Sequence, residues 1–163
     1  MPNKTLTVDQ VVALLALTAP RIAELTSSLR PTELRRPADG EWSASDVLGH
    51  LRACADVWGS CMISIIEGES TLRAVSPMTW IEKTDYRSQD FAPSLRSFSR
   101  QRAELVGVLK RTPRAGWLRQ VTVTGAGAPL TRDALFYGRW MAGHERTHLK
   151  QIAKMASVLE HRR

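Results

Sequence analysis

Residues 131–160 read TRDALFYGRWMAGHERTHLKQIAKMASVLE. Met141, His144, His148, Ile152, Met155 and Leu159 recur at steps of three and four, the repeat that brings side chains onto one face of an α-helix. Thr131 stands where an N-cap hydroxyl is expected, Asp133 puts a negative charge in the first turn, and Leu130 and Leu135 are spaced as a hydrophobic staple. The pattern predicts a helix reaching about residue 160. Its seam carries two histidines, and an imidazole on a buried seam costs free energy unless its nitrogens find partners.

Three further segments show the same periodicity. The first starts at Thr7, where T-V-D-Q forms a capping box with Gln10 and Leu6 can staple onto Val11. Pro20 interrupts this run, so a bend is expected near residues 18–20. The second opens at Ser43, with Asp46 in its first turn and Trp42 spaced to staple onto Val47. Its seam runs through Val47, Leu51, Cys54, Trp58, Cys61, Met62 and Ile65, with His50 beside it and Gly68 as a stop. The third covers about 90–111, with Phe91, Leu95, Phe98, Arg102, Leu105 and Leu109 on its seam and Pro113 beyond its end. Four amphipathic helices predict an all-α four-helix bundle, residues 1–163 forming one domain. Residues 68–89 make a long connection between the second and third helices, of a length more often functional than filler. The run QVTVT is the one strand-like stretch, at most a short extended piece.

Composition narrows the classes. Hydrophobic residues make up 43% and charged residues 24% of the 163, ordinary for a globular protein. No apolar run reaches membrane-spanning length. The acid-flanked, periodic N-terminal stretch reads as an amphipathic helix and not a signal peptide, so a cytoplasmic protein is expected. Net charge is +7, and 18 of the 23 basic residues are arginine. Acids are interleaved with them, which favours a solvated surface over a nucleic-acid footprint. Cys54 and Cys61 would stand about 10.5 Å apart along a helix, too far for a disulfide, so buried thiols are expected.

The chemistry rests on histidine. His144 and His148 stand at i and i+4 and share a face. The spelling H-E-R-T-H matches the zinc-protease pattern, but the rest of that machinery is missing. The only carboxylate after His148 is Glu160, near the end of the same helix, and an extended protease motif would need glycine and histidine where Gln151 and Lys154 stand. A protease is therefore rejected. The pair alone fits two readings equally: a divalent cation held by neutral imidazoles, or two rings satisfied by backbone and water. His50 lies about one and a half turns into the second helix, a depth that permits a three-histidine site without requiring one.

The ordered set GEWSASDVLGHL (40–51) and HERTHLKQI (144–152), with LTAPRIAEL, LRRPADGEW and TWIEKTDYRSQDFAPSLRSFSRQRAEL between and before them, resembles the DinB-like superfamily of bacterial metal-binding four-helix bundles. The resemblance spans most of the chain and implies a metal triad of His50, His144 and His148. Glu145 departs from the aspartate commonest after the first histidine of the pair. Members of this superfamily include metal-dependent hydrolases and enzymes that transfer or isomerise with low-molecular-weight thiols such as bacillithiol or mycothiol. The resemblance also implies a homodimer.

Three imidazoles leave the charge of a divalent cation undiminished and a coordination position open. The expected function is accordingly that of a metal-dependent hydrolase or thiol-dependent transferase acting on a small electrophile, with zinc or nickel as the ion and a low-molecular-weight thiol as a candidate co-substrate. Glu145 is the candidate general base, with a surface glutamate as its plainer alternative. Gln151 is placed to support His148. Trp42, Trp80, Tyr86 and Trp140 are candidate pocket walls, with packing as the plainer role. Arg52 and Arg139 are candidates for an anionic substrate. Two other functions remain: a metal-binding module without turnover, such as a sensor or stress protein, and a basic nucleic-acid-associated protein.

Overall fold

The structure is a computed structural model that describes residues 5–38 and 42–163. Four long helical rods form the bundle: α1 (Val8–Thr26), α3 (Ala44–Cys54) continued by α4 (Ser60–Ile66), α6 (Phe91–Arg111) and α8 (Ala134–His161). A single π-helical turn, Ala55–Gly59, joins α3 to α4 without breaking the rod. Short helices α2 (Pro31–Leu34), α5 (Pro77–Ile81) and α7 (Arg114–Leu118) sit in the connections. α1 packs against both α8 and α6. No described helix is long and apolar enough to cross a membrane.

Local sequence sets the starts. Thr7 and Gln10 form the expected capping box at α1, and Ser43 and Asp46 form one at α3. α8 corrects the expectation. Asp133, not Thr131, is its N-cap, accepting from the Phe136 amide at 2.8 Å. Leu130 and Thr131 belong instead to a strand, so the staple with Leu135 is not the device that starts the helix. α1 continues as one helix through Pro20, so the proline does not end it; packing against α6 and α8 outweighs the one backbone hydrogen bond that proline removes.

The fold is a helical bundle, but not purely α. β1 (Thr71–Arg73), β2 (Val121–Thr124) and β3 (Leu130–Arg132) form a small sheet in the order β1-β2-β3. β1 runs parallel to β2, with Leu72 opposite Val123, and β2 runs antiparallel to β3, with Thr122 opposite Thr131. Val121 and Val123 bury one face of β2 against the end of the bundle. Gly125, at φ +91°, makes the turn that lets β2 pass β1; a methyl group there would stand 2.3 Å from the Ala74 carbonyl oxygen. The long connection at 68–89 thus holds β1 and α5.

The apolar core falls into two clusters. One gathers Val11, Leu15, Met62, Ile65, Leu109 and Met141. The other gathers Ile22, Leu48, Leu51, Phe98, Ile152 and Leu159. Between them lies a buried polar layer. Arg102 on α6 meets Glu145 on α8 through two parallel bonds of 2.6 Å, with side chains 3% and 4% exposed. The Thr18 hydroxyl donates to the same carboxylate at 2.6 Å, and Arg102 also donates to the Leu15 carbonyl at 3.0 Å. A charge on an apolar seam is tolerated because its counter-charge and hydrogen-bond partners are all in place.

Candidate metal centre

α3 and α8 each bring histidine to the middle of the bundle. The three nitrogens converge: Nε2 of His50 lies 3.0 Å from Nε2 of His144, which lies 3.2 Å from Nε2 of His148. The sequence-predicted trio is therefore one cluster, its donor atoms all within 4.8 Å of one another. Gln151, one helical turn beyond His148, faces Nδ1 of that ring with its amide oxygen at 2.8 Å. The Nδ1 proton is held there, which leaves the His148 Nε2 lone pair free to face the other rings.

Direct hydrogen bonds cannot serve both contacts of His144 Nε2 at once. His144 Nε2 carries at most one proton and could serve only one of its two neighbours. A cation at the shared point satisfies three lone pairs together. Tetrahedral zinc with Zn–N near 2.0–2.1 Å sets ligand nitrogens about 3.3–3.4 Å apart, close to the spacings here. The donor set thus fits a divalent metal. Nδ1 of His144 is buried without a protein partner among the described residues.

Electrostatics favour neutral rings at His50 and His144. Burial pushes His50 down to about 4, helped by the neighbouring His148 and Arg87. Burial likewise pushes His144 down to about 4, with His148 and His50 adding to it. Neutral imidazole is the form that binds a metal. Cys54, one turn beyond His50, sets its Sγ 3.7 Å from His50 Nε2. Burial, and then the Glu145 charge, push that thiol up to about 12, so it stays protonated. Both cysteines are free and buried, as expected.

The other candidates separate into groups. Trp42 stacks on His148 at a centroid distance of 6.1 Å and meets His50 edge-on at 5.1 Å. Trp140 stacks on His144 at 4.6 Å while 41% exposed, so it forms the rim. Trp80 and Tyr86 instead converge on Asp56, which accepts from the indole at 2.9 Å and the phenol at 2.5 Å. They line a separate cavity of about 500 Å3 with Ser60, Leu72 and Arg73. Glu145 is neither a surface residue nor one of the converging donors; its two oxygens are taken by Arg102 and Thr18. Arg52 is held by Gln89, Ser94 and the Tyr86 ring, and Arg139 by the Leu6 carbonyl. Sequence reasoning did not single out Arg87, whose stem packs on Gly49 beside His50. No local pattern marked it, because the contact joins segments almost forty residues apart.

A family model of the DinB superfamily matches residues 14–152. The chain belongs to the DinB superfamily. Among solved structures, this DinB chain resembles YfiT from Bacillus subtilis, described as a probable metal-dependent hydrolase with an unusual four-helix bundle topology. The TM-score is 0.78 at 15% identity, over 98% of this chain and 93% of that one. It also resembles a mycothiol-dependent maleylpyruvate isomerase, with TM-score 0.71 and 16% identity over 90% of this chain and 61% of that one. At these identities the likeness establishes the bundle fold. No curated protein sequence matches significantly.

Proposed function

We propose that this DinB protein is a metal-dependent enzyme in which His50, His144 and His148 hold a divalent cation, zinc or nickel. The observation that carries the reading is the convergence of three Nε2 atoms, with that of His144 3.0 Å from His50 and 3.2 Å from His148, where a single proton cannot serve both contacts. The substrate is a small electrophile, attacked by water or by a low-molecular-weight thiol. A neighbour described as a probable metal-dependent hydrolase and a mycothiol-dependent isomerase support both nucleophiles. When bound, the cation supplies a Lewis acid that makes a water or thiol acidic near neutral pH.

The protein's own groups do the rest. Gln151 keeps the His148 Nε2 lone pair turned to the site. Trp42 and Trp140 wall the imidazoles and limit water at the rim. Glu145, buried and locked to Arg102 by two parallel bonds, is assigned by this reading to support and not to proton transfer.

The test is metal content of the purified protein against His50→Ala and His144→Ala. Either substitution is expected to abolish uptake. Chelator-sensitive turnover is then sought with hydrolysis and thiol-conjugation substrates. Uptake of one equivalent by both variants would overturn the site assignment.

A further inference from the structure

We propose that the cavity beside β1 is a second ligand site, separate from the histidines, and that it takes a neutral planar lactam, an aromatic ring bearing an N–H next to a C=O. The inference goes beyond the metal reading and does not depend on it. The cavity holds about 500 Å3, within the span of small-molecule sites, about 300–1,000 Å3. Asp56, Ser60 and Ser64 line it from the helical rod, β1 and the two residues after it line the facing side, and Trp80 and Tyr86 complete the wall.

The two rings are fixed by one acid. Asp56 accepts from the Trp80 indole at 2.9 Å, the Tyr86 phenol at 2.5 Å and the Gln101 amide at 2.6 Å. Burial, and then the Asp56 bond, push the Tyr86 phenol up to about 12, so it keeps its proton and the bond. With their polar ends tied back, the rings offer the cavity apolar surface, and Val57, Leu72 and Val75 extend it. Three neutral donors satisfy the carboxylate, so it requires no cation from a ligand.

β1 supplies the polar recognition. Among the described strands it is an edge, paired with β2 on one side alone. The Ala74 amide donates to the Thr124 carbonyl at 2.8 Å, and the Leu72 carbonyl accepts from the Thr124 hydroxyl at 3.3 Å, so both residues turn main chain towards β2. Alternation along the strand then turns the N–H and C=O of Arg73 to the unpaired edge. Arg73 lines the cavity, while its side chain runs past Gly125, where a methyl group would stand 3.2 Å from the Arg73 Cγ. The main chain is thus what Arg73 presents to a ligand. In an extended residue these groups lie side by side, a donor next to an acceptor, and a lactam meets them with an acceptor next to a donor. At three residues β1 is too short to template a further strand, which favours a small molecule over a peptide. The Ser60 and Ser64 hydroxyls have no partner among the described residues and add two adaptable groups to the lining.

The experiment titrates isotope-labelled full-length protein with 2-quinolone, with N-methyl-2-quinolone, which keeps the ring and carbonyl but loses the N–H, and with quinoline-2-carboxylate, which adds a charge. Backbone amide shifts are read by NMR. Wild type is expected to bind 2-quinolone about tenfold more tightly than either analogue, the loss of one hydrogen bond or the burial of a charge. The Arg73 amide should shift and exchange its hydrogen more slowly in the complex. Ser60→Trp, which fills the cavity from an exposed position, should abolish binding with the far-ultraviolet circular dichroism unchanged. Trp80→Leu, which removes a stacking face, should weaken it about tenfold. Excess chelator should leave the affinity unchanged. The proposal is overturned by a wild type that does not bind 2-quinolone, by equal affinity for the N-methyl analogue, by tighter binding of the carboxylate, or by a stationary Arg73 amide. Loss of binding on chelation also overturns it, because the probe would then sit at the histidines. Should one variant fail to fold, the other and the Arg73 amide still decide.

Discussion

Replacing Glu145 by glutamine tests the polar layer most directly. The wild-type carboxylate accepts three bonds of 2.6 Å, two from Arg102 and one from Thr18, at a position 3% exposed. An amide keeps the shape but not the charge, and its NH2 end faces a guanidinium that also only donates. Arg102 is then a buried cation without its counter-charge, left with the amide oxygen and the Leu15 carbonyl as acceptors. Breaking a buried pair in this way costs about 3–5 kcal/mol. For a chain of this size that corresponds to a Tm lowered by roughly 10 °C. Urea unfolding followed by far-ultraviolet circular dichroism measures it. The double variant Arg102→Met with Glu145→Met should recover most of the loss, because the orphaned charge is gone. The folded single variant should still take up one equivalent of metal, since Glu145 is not a donor. A loss under about 1 kcal/mol in Glu145→Gln, or a double variant worse than both singles, would refute the account.

Three other outcomes are expected. Gln151→Ala frees the His148 Nδ1 proton and should weaken metal affinity about tenfold or more in a competitive chelator titration, with stability little changed; unchanged affinity would remove Gln151 from the site. Gly138→Ala should destabilise by about 1–3 kcal/mol in urea, because its methyl group would stand 2.8 Å from Val11 Cγ1 where α1 and α8 press together; a neutral effect would show that the helices part easily. Glu33 is held down from 4.5 to about 2, first by its bond to the Arg163 guanidinium and then by the Arg30 amide. Its stabilising effect is therefore complete above about pH 4.5 and lost as pH falls towards 2. Glu33→Gln should flatten that part of the Tm profile, and an equally steep acid limb would exclude the pairing.

The bundle was legible because its signals are local. Thr7 with Gln10, Ser43 with Asp46, and the α8 seam each act within a few residues, and the structure keeps all three. The sheet was not legible. β1 pairs with a strand some fifty residues on, and three residues carry too short an alternation to mark it. Thr131 looked like a cap because Thr and Asp both cap helices; the hydroxyl instead meets Thr122 across the ladder at 2.8 Å. The histidine cluster was half visible. The i, i+4 pair followed from spacing, but its convergence with His50 required the packing of α3 on α8. Arg102 on an apolar seam was an unread signal: it demanded a buried acid, and Glu145 was the candidate beside the histidines. Arg87 left no such mark.

The Arg102–Glu145–Thr18 layer also works as a latch on height. Greasy faces alone let neighbouring rods slip by one coil, about 5.4 Å, at modest cost. Here such a slip would land Glu145 against Phe98 or Leu105 and strand two opposite charges in oil. Glu145 follows His144 directly in the chain, so the latch that blocks sliding also sets the level at which α8 delivers its imidazoles to His50. Transplanting the three histidines into another bundle without that latch would carry over the donors but not their meeting point.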